Sequence, residues 1–278
     1  MFYLGNHRLH YNPHMNAHLS PEHIRSHCRS AARQAAIEIV AETGSTNADL
    51  LARLDELTGP TLLLAHTQTA GRGRAGRAWH GSTDATLTFS LAWKFQRPVA
   101  ELAGLPLAVG VALAEALAGF NVDVQLKWPN DVLRNGDKLA GVLIETASRK
   151  SSGLPITWAV IGIGINLSIP EPLLARIGHS VAQAPELEAL DRGVLMAALF
   201  DALAEALGRF ESEGIRAFVK RWNELHAYAG QAVKLVDRDR VVADGTAAGI
   251  DDAGRLLLDT EAGRIPVVAG DVSLRIRE

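Results

Sequence analysis

The stretch Gly71-Arg72-Gly73-Arg74-Ala75-Gly76-Arg77-Ala78-Trp79 sets three arginines and three glycines between two apolar runs. Those runs, Thr61-Leu62-Leu63-Leu64-Ala65 and residues 85–93 (ATLTFSLAW), read as β-strands, so the basic segment is a loop hung between neighbouring strands. Glycine lets the backbone take positive φ and approach a ligand closely, while guanidinium groups make forked, charge-assisted hydrogen bonds to phosphate and carboxylate oxygens. The implied ligand is an anion. Without it the arginines repel one another and the glycines favour disorder, so the loop is expected to be mobile until a ligand orders it. Trp79 is then placed to cap an adenine. The competing account is a solvated basic turn, which the flanking strands disfavour. The segment lacks the Gly-Lys-Ser/Thr ending of a Walker A loop and does not open a helix with GxGxxG, so the common nucleotide-binding loops are disfavoured.

Outward from the loop, Ile37-Glu38-Ile39-Val40 alternates as a strand, and Ser45-Thr46-Asn47 reads as the cap of a helix over residues 48–54. Residues 102–117, rich in Ala and Leu, predict a buried helix whose start is left open by Pro106 and Gly110. Short strands follow at residues 122–127 and 131–134, then the hairpin turn Asn135-Gly136, a return strand over 138–146 and another strand over 156–167. Leu195, Leu199, Leu203 and Leu207 mark an amphipathic helix over 194–210, and 215–225 continues the helical pattern. After Gly230 the character changes to short strands at 232–236, 256–258 and 272–276, the pattern of a small β-barrel.

Of the 278 residues 47% are hydrophobic and 21% charged, which supports one large core and a small appended domain. The formal net charge of −3 gives no global attraction to nucleic acid or an anionic membrane. Cys28 is the only cysteine, which excludes an intrachain disulfide and a cysteine zinc cluster and fits a cytoplasmic setting. No 18-residue run is unbroken in apolar residues, and no apolar signal core opens the chain, so neither a membrane span nor export is expected. Six histidines (His7, His10, His14, His18, His23, His27) lie near the N-terminus, three of them at i, i+4 spacing. Pro13 interrupts that spacing, and a frayed arm is expected there rather than a metal site.

Taken in order and spacing, the arginine loop, Lys127-Trp128-Pro129-Asn130-Asp131, Lys138-Leu139-Ala140-Gly141 and Gly162-Ile163-Gly164-Ile165-Asn166 resemble the biotin protein ligases from about Ile37 to the C-terminus. The resemblance implies an α+β fold, a mixed β-sheet covered by helices (class II synthetase-like, of the biotin/lipoate ligase type), with a C-terminal SH3-like β-barrel. The corresponding domains are an arm over 1–36, partly helical or flexible, a catalytic domain over 37–228 and the barrel over 229–278. It implies formation of biotinyl-AMP from biotin and ATP, with Mg2+ bound mainly through phosphates, then transfer of biotin to a lysine of a biotin carboxyl carrier protein. The family's repressor members carry a winged helix-turn-helix ahead of the ligase body. The residues before Ile37 are too few and too polar for one, so binding of sequence-specific DNA is not expected. A monomer or weak homodimer is expected.

The resemblance assigns Ser45, Thr46, Asn47 and Gln68 to the biotin ring, and Arg72, Gly73, Arg74, Lys138 and Gly141 to the carboxyl end and the α-phosphate. Arg74, Arg77, Trp79, Lys127, Asn130, Asp131 and Asn166 are assigned to ATP and the adenylate, and Arg72 and Lys138 to catalysis. No protein-only metal cage is implied. Each has a plainer account: Ser45 to Asn47 as a helix cap, Lys138 as a hairpin-end lysine, residues 127–131 as a polar connection, Asn166 as a β-bulge. A lipoate-type ligase and a non-enzymatic nucleic-acid-binding module are the rival functions, the latter disfavoured by the negative charge and sparse aromatics.

Overall fold

The computed structural model describes residues 19–151, 154–237, 240–270 and 272–277. Seven strands form a mixed sheet: β1 (Ala36–Thr43), β2 (Thr61–Gln68), β3 (Thr86–Phe95), β4 (Gln125–Lys127), β5 (Asp131–Arg134), β6 (Asp137–Ser151) and β7 (Leu154–Asn166), in the order β1-β2-β3-β7-β6-β5-β4. Only β1 and β2 run parallel; the other neighbours are antiparallel. The run Thr61 to Ala65 is buried throughout because both faces are covered. Leu62 and Leu64 join the main core, whereas Leu63 joins a smaller cluster with Leu50, Leu54, Trp158 and Val160 under helix α2 (Thr46–Ala52).

Helix α3 (Leu105–Ala118) packs on α5 (Arg192–Glu213), α6 (Arg216–Glu224) and β6, and the short α4 (Glu171–Ile177) follows β7. The helix begins later than the composition suggested, because Gly104 takes a left-handed φ of 85° and Pro106 sits in the first turn, where its missing N–H costs nothing. By length and composition Val99–Ala118 would suffice to cross a membrane, yet Leu105, Leu107, Val109, Val111, Leu113 and Leu117 are buried within this fold.

The region before β1, expected as a frayed arm, is docked where it is described. Helix α1 (Pro21–His27) starts at a Ser20 cap and buries Ile24 completely, with Cys28 and Ala32, in the main core. Burial of one isoleucine stabilises by about 2 kcal/mol, comparable to the ordering cost of one or two residues at roughly 1–2 kcal/mol each. The His23–Asp191 contact, 2.8 Å, ties α1 to the start of α5 as well. His7, His10, His14 and His18 lie outside the described residues.

Five antiparallel strands, β8 (Ala232–Asp237), β9 (Arg240–Ile250), β10 (Leu256–Thr260), β11 (Gly263–Val267) and β12 (Val272–Ile276), make the C-terminal SH3-like unit in the order β11-β10-β9-β8-β12. Two of these strands were not expected. β9 lacks clean alternation: Gly245 and Gly249 interrupt it, and a Cβ at Gly245 would lie 2.5 Å from the Asp259 carbonyl oxygen. β11 contains Pro266, tolerated because the strand pairs on one side only, with β10. Hydrogen bonds from Trp128 Nε1 to the Gly254 oxygen (3.3 Å) and from the Ile250 amide to Asn223 Oδ1 (2.8 Å) dock this unit on the β4–β5 turn and on α6.

His226, between α6 and β8, is 4% exposed, stacks on Trp222 at 4.7 Å, and has neither ring nitrogen hydrogen-bonded. Burial pushes its pKa down from 6.5 to about 4. Above the unfolded value the ring is neutral in both states. Below it the unfolded chain takes up the proton first, so stability is expected to fall by about 3 kcal/mol as pH drops from 6.5 to about 4. Denaturant titrations of wild type and His226→Phe across this range check the sign: the variant should lose that component of the slope.

Candidate active site

The arginine loop leaves β2 and returns to β3. Its backbone is hydrogen-bonded within itself: Gly73 N donates to the Arg77 oxygen (2.7 Å), Trp79 N donates to the Gly71 oxygen (2.9 Å), and Arg72 bridges Ala78. Ala75 and Gly76 turn the chain at φ values of 54° and 71°. The expected repulsion is relieved by partners. Arg72 pairs with Glu145 at 3.0 Å, and Arg74 donates to Asn130 Oδ1 (2.8 Å) and to the carbonyl oxygen of Gly270 in the C-terminal unit.

Two connected hollows meet beneath this loop. The first is a slot of about 50 Å³ lined by Ser45, Thr46, Asn47, Gln68, Arg72, Gly73, Arg74, Lys138 and Gly141. These are all nine residues assigned to biotin. The second is a cleft of about 550 Å³ lined by Arg74, Arg77, Trp79, Lys127, Asn130, Asp131 and Asn166, the seven assigned to the nucleotide. Arg74, Trp79, Asn130 and Lys138 line both, so the two hollows share a cationic junction.

At the closed end of the slot the helix cap takes an unexpected form. Helix α2 begins at Thr46, so Thr46 and Asn47 belong to its first turn, and Ser45 holds the cap position without a side-chain cap bond. Gln68 does the capping from β2, its Oε1 accepting from the Thr46 amide at 2.8 Å. Buried Ser90 then lies 2.6 Å from Thr46 Oγ1 and from Asn47 Oδ1. Neither Ser90 nor Glu145 was singled out from sequence. The signal available was a polar residue among apolar neighbours in each of two runs, FSLA and GVLIE.

At the junction Lys138 Nζ lies 2.6 Å from Asp131 Oδ1 and 5.7 Å from the Trp79 ring, while Lys127 Nζ lies 4.0 Å from Asp131 Oδ2. Burial holds the Lys127 ammonium below its ordinary range; Asp131 opposes this, and the cations Lys138, Arg275 and Arg77 reinforce it. Arg275, on β12, brings a C-terminal charge toward the cleft that the sequence reading missed, because that strand showed only alternation. Asn130 is committed at both ends, to Arg74 and, through Nδ2, to the Val142 oxygen (2.8 Å). It holds Arg74 in place.

The plainer account of Asn166 as a bulge does not hold, since the register with β3 runs unbroken from Thr86↔Asn166. Its Nδ2 braces the Lys138 and Ala182 carbonyl oxygens at 3.2 and 3.1 Å. On the same strand the Trp79 indole lies against Gly164, where a Cβ would overlap the ring.

Fold and site define an enzyme of the ligase class. A model described as "Biotin/lipoate A/B protein ligase family" matches residues 38–166, and one described as "Biotin protein ligase C terminal domain" matches residues 228–275. The bifunctional ligase/repressor BirA of Escherichia coli is 36% identical over 245 residues, covering 87% of this chain and 75% of that protein. The biotin--[acetyl-CoA-carboxylase] ligase of Mycobacterium tuberculosis is 34% identical over 264 residues, 85% of this chain and 88% of its own. Among solved structures, biotin protein ligase from Aquifex aeolicus in complex with biotin and ATP aligns with a TM-score of 0.70 at 29% identity, covering 87% and 99% of the two chains. The chain belongs to the biotin protein ligase family.

Proposed function

We propose that the chain condenses biotin with ATP in the joined slot and cleft, then hands the biotinyl group to a lysine of a biotin carboxyl carrier protein; the name of its Mycobacterium relative gives acetyl-CoA carboxylase as the acceptor. The observation that carries this reading is the junction, where Arg72, Arg74 and Lys138 line one slot that opens beside the larger cleft. A carboxylate and a triphosphate repel each other, and fixed cations at the meeting point offset that repulsion as charge builds at the α-phosphate. The biotin carboxylate oxygen attacks the α-phosphorus and pyrophosphate leaves. A carrier amine then attacks the acyl carbon, loses its proton and expels AMP. No covalent enzyme intermediate is needed; the protein aligns reactants and keeps water from the mixed anhydride.

Magnesium enters this reading only with the triphosphate. Asp131 faces Lys138, and Asp137 accepts from Ser180 Oγ at 2.7 Å. The lipoate reading is separated by substrate: biotin, and not lipoic acid, should elicit pyrophosphate release from ATP, and the reverse preference would overturn the proposal. Arg74, clamped between Asn130 and the C-terminal unit, closes the loop over the junction. Arg74→Ala should therefore still form adenylate but lose it at least tenfold faster, read as the half-life of the isolated complex. Wild-type retention in that variant would refute the clamp.

A further inference from the structure

Glu145 lies on β6 at the edge of the slot, and its Oε2 accepts from Arg72 Nη2 (3.0 Å) and from Asn47 Nδ2 (2.8 Å). A carboxylate paired to a guanidinium offers only lone pairs, so the Asn47 amide must present its NH2 side to it. The Leu143 carbonyl oxygen, 3.4 Å from the same Nδ2, enforces that orientation. Asn47 Oδ1 therefore faces Ser90 Oγ at 2.6 Å and must receive the serine proton. Ser90 has then spent its only proton, so the 2.6 Å contact between Ser90 Oγ and Thr46 Oγ1 takes the proton of Thr46 in preference to Gln68 Oε1, which lies farther from Thr46 Oγ1 at 3.2 Å. The hydroxyl of Thr46 is left with lone pairs alone. Gln68 is fixed independently: its Oε1 accepts from the Thr46 amide, which turns Nε2 outward as a donor.

We propose that Glu145 is a positioning residue that sets substrate specificity, because its charge fixes the direction of the relay Thr46→Ser90→Asn47→Glu145. The slot then offers one acceptor, Thr46 Oγ1, beside one donor, Gln68 Nε2. That pair complements the N–H and C=O of a cyclic urea. The inference rests on the biotin reading and extends it to a residue that need not touch the ligand. Replacing Glu145 by glutamine keeps the shape but permits the Asn47 amide to flip and the relay to run backward, so Thr46 can donate instead of accept.

The test compares two ligands on the same protein: biotin, and a cyclic carbamate analogue in which a ring oxygen replaces the N–H that meets Thr46. Wild type should prefer biotin by about 100-fold, since the analogue sets a lone pair against a lone pair. In Glu145→Gln that preference should shrink at least tenfold, and Glu145→Asp, which keeps the charge, should restore part of it. Both ligands carry the same carboxyl group, so any change at Arg72 or in the folded fraction cancels in the ratio. An unchanged ratio in Glu145→Gln, with biotin still bound by wild type, overturns the relay while sparing the biotin reading. Failure of wild type to bind biotin overturns both.

Discussion

A Lys138→Ala variant is expected to slow adenylate formation roughly 10²- to 10³-fold while changing biotin affinity by less than about tenfold. The ammonium lies at the junction of slot and cleft, against Asp131 and 5.7 Å from the Trp79 ring, whereas the groups at the closed end of the slot are held by Gln68, Ser90 and Glu145. Removing the charge takes away stabilisation where the attacking carboxylate and the α-phosphate meet and leaves the ring pocket built. Lys138→Arg should not rescue the rate. Lys138 lies over Gly141, where even a Cβ would come within 2.8 Å of Nζ, so the wider guanidinium has no room. Single-turnover pyrophosphate release, with biotin affinity from calorimetry, checks both halves. Equal losses in binding and rate would mean that Lys138 only holds substrate.

The second large effect separates the two ends of the site with two glycines of one strand. A Cβ at Gly162 would lie 2.5 Å from Asn47 Oδ1, whereas one at Gly164 would overlap the Trp79 indole. Gly162→Ala should therefore raise KM for biotin at least tenfold with little change for ATP, whereas Gly164→Ala, which displaces the Trp79 indole that lines both hollows, should raise both. Overpacking of this kind costs about 1–3 kcal/mol, which a large sheet tolerates, so both variants should fold. A Gly162→Ala variant that shifts both KM values equally would contradict the division into slot and cleft.

Strand positions and the arginine loop were legible because alternation and glycine-arginine spacing are local properties of the chain. The loop's taste for an anion and the place of Trp79 were legible from residue chemistry, whereas the division of fifteen residues between biotin and nucleotide, with Arg74 in both sets, rested on family resemblance; the fold gathers them around two joined hollows. What local pattern could not supply was partner choice. Nothing near Ser45 shows that Gln68, from another strand, caps α2, or that Glu145 would answer Arg72 and Asn47 together. Arg275 and Tyr228 likewise reach the cleft region only through packing of the C-terminal unit, Tyr228 with Lys127 5.9 Å above its ring. Charge repulsion within the loop is likewise legible in sequence, while Glu145, Asn130 and the Gly270 carbonyl oxygen, which meet its arginines, are distant in the chain.

Native mass spectrometry of the chain after incubation with biotin, ATP and magnesium tests directly whether carboxylate and α-phosphate meet between the slot and the cleft. One biotinyl-AMP retained per chain, absent when either substrate is left out, is the predicted spectrum. Biotin and ATP both bound but never joined would contradict the account.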